Sequence, residues 1–241
     1  MSAQKEESVR INKYLALCGV CSRRDADKLV ENGSVKINGI TAQSGSKVFP
    51  GDVVTYGGKR LVAKDRVILL YNKPVGVTCT ERDPHAIRKI VDEIKFAERI
   101  TYAGRLDQDS EGLMILTNDG DLIQKMMKGS SVHEKEYIVK VDKEITEDFI
   151  RDMSAGMYLK ELKSNTRPCV TEKLGKYTFR IILTQGLNRQ IRRMCGELGY
   201  KVTSLRRIRI LHLTIGDLPS GKWRYLTKEE EAGLLHDLQM E

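Results

Sequence analysis

The sequence has no apolar run approaching the roughly 20 residues that a membrane-crossing helix needs, so no bilayer span is expected. Its first residues, Met1-Ser2-Ala3-Gln4-Lys5-Glu6-Glu7, are polar throughout. They offer neither the apolar stretch of a secretion signal nor an anchor, and residues 1–7 are expected to be disordered. Cysteine is sparse and odd in number, five in 241 residues, which argues against a disulfide scaffold and for reduced thiols in the cytoplasm. Cys18-x-x-Cys21 stands alone, whereas tetrahedral zinc needs four ligands; both cysteines are expected to be small packing residues. The histidines His85, His133, His212 and His236 are not paired at a metal-ligand spacing, and His212 is expected packed in a strand. Neither a glycine-rich phosphate loop nor a dinucleotide fingerprint nor a nucleophile elbow occurs. Nothing repeats with a period of about 20 to 50 residues, which sets solenoids aside. Metal, nucleotide-cofactor and acyl-transfer chemistry therefore have no motif to rest on, and neither metal nor cofactor is expected.

What the chain does have is positive charge: 41 basic against 33 acidic residues, a net +8. Such a surplus suits a polyanionic partner, nucleic acid before a membrane surface, but the total alone leaves an ordinary basic surface equally open. Placement says more. Residues 8–58 read as a small basic module. Ile11, Tyr14, Leu15 and Cys18 recur at helical spacing up to Gly19. Ser22 with Asp25 three residues on resembles a capping box, and Ala26, Leu29 and Val30 give a second helix its apolar face. Val35-Lys36-Ile37 runs into Asn38-Gly39, a hairpin signal, and Pro50-Gly51-Asp52 turns into a strand Val53–Tyr56. Arg10, Lys13, Arg23, Arg24 and Lys28 are expected on a common exposed side. Two arginines at a helix start oppose the helix dipole, a placement that a nearby phosphate backbone would explain. In its order the stretch resembles the S4 RNA-binding domain: Arg-Ile-Asn-Lys-Tyr-Leu, Ser-Arg-Arg-Asp-Ala-Asp, Gly-Ser-Val-Lys-Ile-Asn-Gly, then Pro-Gly-Asp. The resemblance implies binding to structured RNA. Residues 59–62 are expected to be a linker to a second domain at 63–241.

In that second part, Val67-Ile68-Leu69-Leu70-Tyr71 is a continuous apolar run of strand length, closed by the turn Asn72-Lys73-Pro74-Val75-Gly76. Residues 80–89 are charged and look like a mobile loop. His133 to Val141 alternates, with Tyr137, Val139 and Val141 on one face and the charges largely on the other. Helices are expected at 121–128 with Gly129 as terminator, after Thr146, over Asn188–Leu198 and after Thr227; further strands at 177–183 and 208–215. Strands interrupted by single helices suggest an α+β fold, a small helical and hairpin domain followed by a mixed, largely antiparallel sheet flanked by helices and loops.

Two segments carry candidate chemistry. Gly104-Arg105-Leu106-Asp107-Gln108-Asp109-Ser110-Glu111-Gly112 leads into the apolar Leu113–Leu116 and then Asn118-Asp119-Gly120, a tight-turn signal. The simplest picture is a charged loop on the end of a buried strand, with three carboxylates open as the reactive group. Thr184 to Met194 packs Arg189, Arg192 and Arg193 into one and a half helical turns, with Ile191, Met194 and Cys195 inward. An arginine there could pair with a loop Asp and keep it in its charged, nucleophilic form.

Gly104-Arg105-Leu106-Asp107, Ser110-Glu111-Gly112-Leu113 and Thr117-Asn118-Asp119-Gly120 resemble the central motif of the RsuA-like bacterial ribosomal-RNA pseudouridine synthases, and within them look most like the RluF branch. Asn72 to Gly76, His133 to Tyr137, Gly186 to Met194 and Leu218 to Arg224 support the match, which spans nearly the whole chain. The resemblance implies isomerisation of a uridine in ribosomal RNA, 23S by branch, without cofactor. It implies that Asp107 attacks the uridine, that Tyr137 stacks on the base, and that Arg192 pairs with Asp107. Arg105 fills the space left by the flipped nucleotide, and Leu183 belongs to the apolar floor. Lys73 and Arg189 join them as substrate contacts. Asp109 and Glu111 become loop-shaping groups. The readings held against this are an inert S4-type ribosome-assembly factor, the same enzyme on 16S rRNA, and a DNA-binding protein, for which no helix-turn-helix or zinc signature is present. A cytoplasmic monomer is expected.

Overall fold

The computed structural model describes residues 8–81, 83–128 and 132–240; the expected disorder at 1–7 and the helix terminator Gly129 lie outside these. The chain divides into two units. The first runs to Val67 and takes in 96–99 and 118–120; the second holds the rest.

The first unit contains β1 (Val9–Arg10), α1 (Ile11–Leu17), α2 (Arg23–Glu31), β2 (Val35–Ile37), β3 (Ile40–Thr41), β4 (Lys47–Val48), β5 (Val54–Tyr56) and β6 (Lys59–Arg60). Ile11, Leu15, Ala26, Val30, Val35, Ala42, Val48 and Val54 form its core. Ser22 caps α2, accepting from the Asp25 N–H at 3.3 Å and donating to its carboxylate at 2.6 Å. Asn38 (φ 50°) and Gly39 (φ 82°) both take the positive φ that a tight hairpin between β2 and β3 requires. Lys59 and Arg60, expected in a linker, instead pair with β5 as the last strand of this sheet: Gly57-Gly58 permits a turn, and the chain folds back. Arg10, Arg24 and Lys28 are exposed, while Lys13 and Arg23 are partly covered.

Asn118-Asp119-Gly120 departs from expectation. Gly120 has no positive φ. Asn118 instead accepts the Val67 N–H at 2.9 Å and donates to the Asp65 carbonyl at 2.7 Å, and Asp119 pairs with Arg66 at 3.0 Å. The segment clasps residues 65–67 rather than closing a tight turn.

The second unit comprises β7 (Ile68–Lys73), α3 (Ile90–Ile94), β8 (Thr101–Tyr102), β9 (Glu111–Thr117), α4 (Gly120–Met127), β10 (Lys135–Val141), α5 (Glu147–Ala155), β11 (Tyr158–Leu159), β12 (Ser164–Asn165), β13 (Val170–Gly175), β14 (Thr178–Leu183), α6 (Gln190–Glu197), β15 (Val202–Ile210), β16 (Leu213–Thr214), β17 (Trp223–Tyr225) and α7 (Lys228–Asp237). Among the described residues, nine strands share one sheet along the path β13-β14-β10-β15-β9-β7-β17, with β16 on β15 and β8 on β9. β9 and β15 run parallel, and the other described pairs are antiparallel. Ile68 and Leu70 of β7 and Leu113 and Ile115 of β9 pack with Leu122 and Met126 of α4, Leu234 of α7 and Leu238 just after it. Thr146 caps α5 and Thr227 with Glu230 makes a capping box on α7.

The strand expected at 208–215 is two. β15 begins at Val202, and Leu211 (φ 52°) turns the chain into β16. His212 thus lies in a turn, its ring nitrogens 2.8 Å from Asp237 Oδ2 and 3.1 Å from the Glu230 carbonyl oxygen. The alternation of β10 also needs correcting. Glu136 is buried, accepting from Arg209 Nε at 2.7 Å, and Lys135 shares the face of Tyr137.

One position in this sheet admits no side chain. Gly112 pairs with Arg207 where β9 meets β15. A Cβ there would sit 2.7 Å from Arg207 N and 2.9 Å from Arg207 C, closer still to its carbonyl oxygen, and φ is +111°. Gly112→Ala is expected to cost about 2–4 kcal/mol through this clash and the backbone strain; a lowered urea midpoint for the second unit is the measurement that checks it.

Candidate active site

A cleft of about 650 Å³ lies in the second unit. It is bordered by the loop 103–108, the first residues of β10, the end of β14 and the segment 184–191 that enters α6. Asp107, Arg105, Tyr137, Leu183 and Arg189 all line it. Sequence separation had hidden how the sheet does this. Tyr137 on β10 is cross-strand to Arg207 on β15, and Arg207 is in register with Gly112 on β9, just past the Asp107 loop.

The loop is held from several directions. The Ser110 N–H donates to the Asp107 carbonyl at 3.1 Å, closing a turn, and Ser110 is fully buried. The Gly76 N–H donates to the Gln108 carbonyl at 2.8 Å. Arg189 donates to both Asp109 oxygens, at 3.1 and 2.9 Å, and its Nη1 lies 3.5 Å from Asp107 Oδ2. Arg192 donates to the Asp109 carbonyl at 2.8 Å and to Ser110 Oγ at 3.2 Å, with the Asp109 carboxylate at 3.3 Å. Partial burial works against a charged Asp109, but the Arg189 hydrogen bond and the charges of both arginines hold it below the usual carboxylate range.

Two expectations change here. The ion-pair partner of Asp107 is Arg189, not Arg192. Arg189 precedes α6 in the left-handed backbone region (φ 50°) and reaches both loop carboxylates. Arg192, one turn into the helix and more buried, meets the loop at Asp109 and Ser110. Lys73 is no surface contact. It is fully buried, donating to the Pro74 and Val77 carbonyls at 3.0 and 2.8 Å, so it staples the turn after β7 from within. Burial lowers its pKa, partly offset by Cys79, Asp107 and Asp109. The third helix arginine, Arg193, turns away to Asn188 and Glu161.

Tyr137 and Leu183 are almost completely buried, and Ile191 and Leu205 add to the apolar lining. Arg105 is exposed, with no hydrogen bond or ion pair to another of the described residues. Lys128, Lys135, Arg167 and Arg207 join Arg105 and Arg189 along the walls, and among the described residues that line the cleft Asp107 is the one carboxylate. The sequence reading missed Lys135 and Arg207. Lys135 was legible from its place two residues before Tyr137; Arg207, inside the run Arg206-Arg207-Ile208-Arg209, carried no signal that one arginine would be buried.

Such a cleft, with one carboxylate, one tyrosine, an apolar floor and cationic walls, suits chemistry on a base carried by a polyanion. A family model described as RNA pseudouridylate synthase matches residues 67–197, and an S4 domain model matches 9–54. The chain belongs to the RNA pseudouridine synthase family. It is 47% identical over 228 residues to the dual-specificity RNA pseudouridine synthase RluF of Escherichia coli, covering 93% of this chain and 78% of that one. It is 35% identical over 229 residues to the ribosomal large subunit pseudouridine synthase B of Bacillus subtilis, covering 92% and 93%. A solved pseudouridylate synthase structure superimposes with a TM-score of 0.69 at 28% identity, covering 94% of this chain and all of that one. The chain is thus an RNA pseudouridine synthase with an RNA-binding S4 domain. No helix among the described residues is long and apolar enough to cross a membrane.

Asp109 organises both arginines without facing the cleft itself. Asp109→Asn is expected to leave RNA affinity within about twofold and to lower kcat by about tenfold or more, because the loop carrying Asp107 loses its anchor. Single-turnover kinetics with RNA binding measured in parallel decide between that and a passive surface group.

Proposed function

We propose that this synthase isomerises specific uridines of ribosomal RNA, with 23S rRNA as the principal substrate, and that Asp107 attacks a nucleotide turned out of its stack. The observation that carries the reading is the isolation of Asp107 as the carboxylate of a cation-lined cleft that also holds Tyr137. Taking a base out of a helix costs a few kcal/mol. Stacking on an aromatic ring returns about 1–3 kcal/mol, and Tyr137 has the burial and position for it. Arg105, exposed at the cleft, fills the vacated space. Leu183 supports the base from below, and Arg189 balances the charge of Asp107. The reaction breaks the N1–C1′ bond and makes a C5–C1′ bond with no change of oxidation state. The S4 module, read as 8–58, supplies the docking surface for structured RNA, and the enzyme works as a cytoplasmic monomer where ribosomal RNA is made. The large-subunit name of the Bacillus relative favours 23S over 16S.

Release of tritium from 5-³H-uridine ribosomal RNA is expected with the wild type and abolished in Asp107→Asn, with RNA binding retained. Full activity in that variant overturns the role of Asp107. Mapping pseudouridine in 23S and 16S rRNA from cells with and without the protein tests the substrate. For the docking surface, Arg24 and Lys28 lie one turn apart on the exposed face of α2. Replacing both with alanine is expected to flatten the dependence of log affinity on log salt by about 1.5, at roughly 0.7–0.9 per lost phosphate contact; an unchanged slope shows that RNA does not lie there.

A further inference from the structure

Uridine carries hydrogen on C5 and ribose on N1; pseudouridine carries the reverse. When C5 bonds to C1′ it holds both groups at once. A base must then take the C5 proton. The C–H electron pair becomes the C5=C6 bond, the C6=N1 pair moves onto N1, and N1 takes up a proton. The roles assigned above to Asp107, Tyr137, Arg105 and Arg189 leave that transfer without an acceptor.

We propose that Lys135, which lines the cleft that holds Asp107 and Tyr137, is the acceptor of the C5 proton. The proposal rests on the pseudouridine synthase reading. Lys135 opens β10 on the same strand face as Tyr137 and lines the cleft. Its register neighbours are Leu183 on β14 and Ile210 on β15, both buried and both lining the cleft. Its amine donates to the His133 carbonyl at 3.0 Å and has no carboxylate within ion-pair distance among the described residues. A lysine meant to hold phosphate gains from full exposure and full charge; this one is half-buried between apolar side chains. The ionisable groups around the cleft are Arg207 on β15, Tyr137 on the same strand, His133 leading into it, Cys79, Arg105 and Asp107 on the loop side, and Lys128, Arg167 and Arg189. Arg207 is buried, donating to the Leu113 carbonyl at 2.7 Å. Burial first, then the charge of Arg207, pushes the Lys135 amine down to about 8. About a tenth of it is then free base at pH 7 and about nine tenths at pH 9, a range suited to general-base work. The ammonium formed returns the proton to N1, so the enzyme ends the cycle as it began.

Wild-type turnover of 5-³H-uridine RNA tests the activity; the Lys135 variants test the acceptor separately. The single-turnover rate of the wild type is expected to rise with pH and level off above about 8. Lys135→Arg keeps the charge and much of the length but cannot give up its proton in this range. It is expected to bind RNA within about twofold of wild type and to isomerise it at least a hundredfold more slowly, the usual scale of a lost acid–base group. Lys135→His is expected to recover part of the rate with the inflection moved towards histidine's range near ~6.5. Lys135→Arg with the wild-type rate, or Lys135→His with the wild-type inflection, overturns the proposal. If Lys135→Arg fails to bind RNA, the histidine variant's inflection decides alone.

Discussion

The close approach of two backbones at Gly112 and Arg207 is the constraint on which the cleft depends. β9 is the strand that carries the Asp107 loop, and it lies parallel to β15 at that point with no room for a Cβ between them. β15 in turn pairs with β10, placing Arg207 beside Tyr137. The root of the loop and the tyrosine are therefore held one intervening strand apart by rigid sheet, and contacts from Gly76, Arg189 and Arg192 fix the loop beyond it. Positioning of this kind matters because a misplacement of about 1 Å at a reacting centre can cost about a hundredfold in rate.

Charge is distributed around that frame with a division of labour. Asp109 takes two hydrogen bonds from Arg189 and lies within ion-pair reach of Arg192, so it absorbs the strongest cationic contacts of the α6 entrance. Lys73 serves from beneath: its ammonium is spent on two carbonyls of the turn that abuts Gln108, while its charge still faces the loop carboxylates. Among the exposed cations of the cleft, Arg105, Lys128 and Arg167 suit a polyanionic substrate. A wall of this kind raises the local concentration of RNA and weakens with salt.

Much of this was readable from residues in order. The apolar run at Val67–Tyr71, the Asn38-Gly39 turn, the Thr227 capping box and the inward Ile191, Met194 and Cys195 all follow from local chemistry, and the structure carries each. The loop with Asp107 and the strand face with Tyr137 were legible because motif and alternation report locally. Three things were not. Which arginine of α6 meets Asp107 depends on a left-handed residue at the helix entrance, and nothing in Asn-Arg-Gln announces one. The burial of Lys73 depends on two carbonyls that curl back to meet it. The clasp made by Asn118 depends on a segment about fifty residues earlier, whereas its local signal spoke for a tight turn. For Asn118 a partner distant in sequence overrode a local preference, and for Arg189 and Lys73 the backbone path, which side-chain pattern does not report, chose the partner.

The sharing of Arg189 explains how one guanidinium can support two carboxylates with different tasks. Its two bonds to Asp109 are well formed, and its approach to Asp107 is longer, at 3.5 Å. A carboxylate fully engaged in a bidentate pair has its lone pairs occupied and its reach fixed. Asp107 lines the cleft with that positive charge nearby and no bidentate partner, which is the condition that the nucleophilic role proposed for it needs. Asp109 thus acts as a decoy for the arginine, so that the charge is near Asp107 without capping it. The same logic accounts for Arg192 binding the loop backbone and Ser110 rather than the Asp107 side chain. Strong bonds fix the loop, and the carboxylate left with the weak one is the one proposed to react.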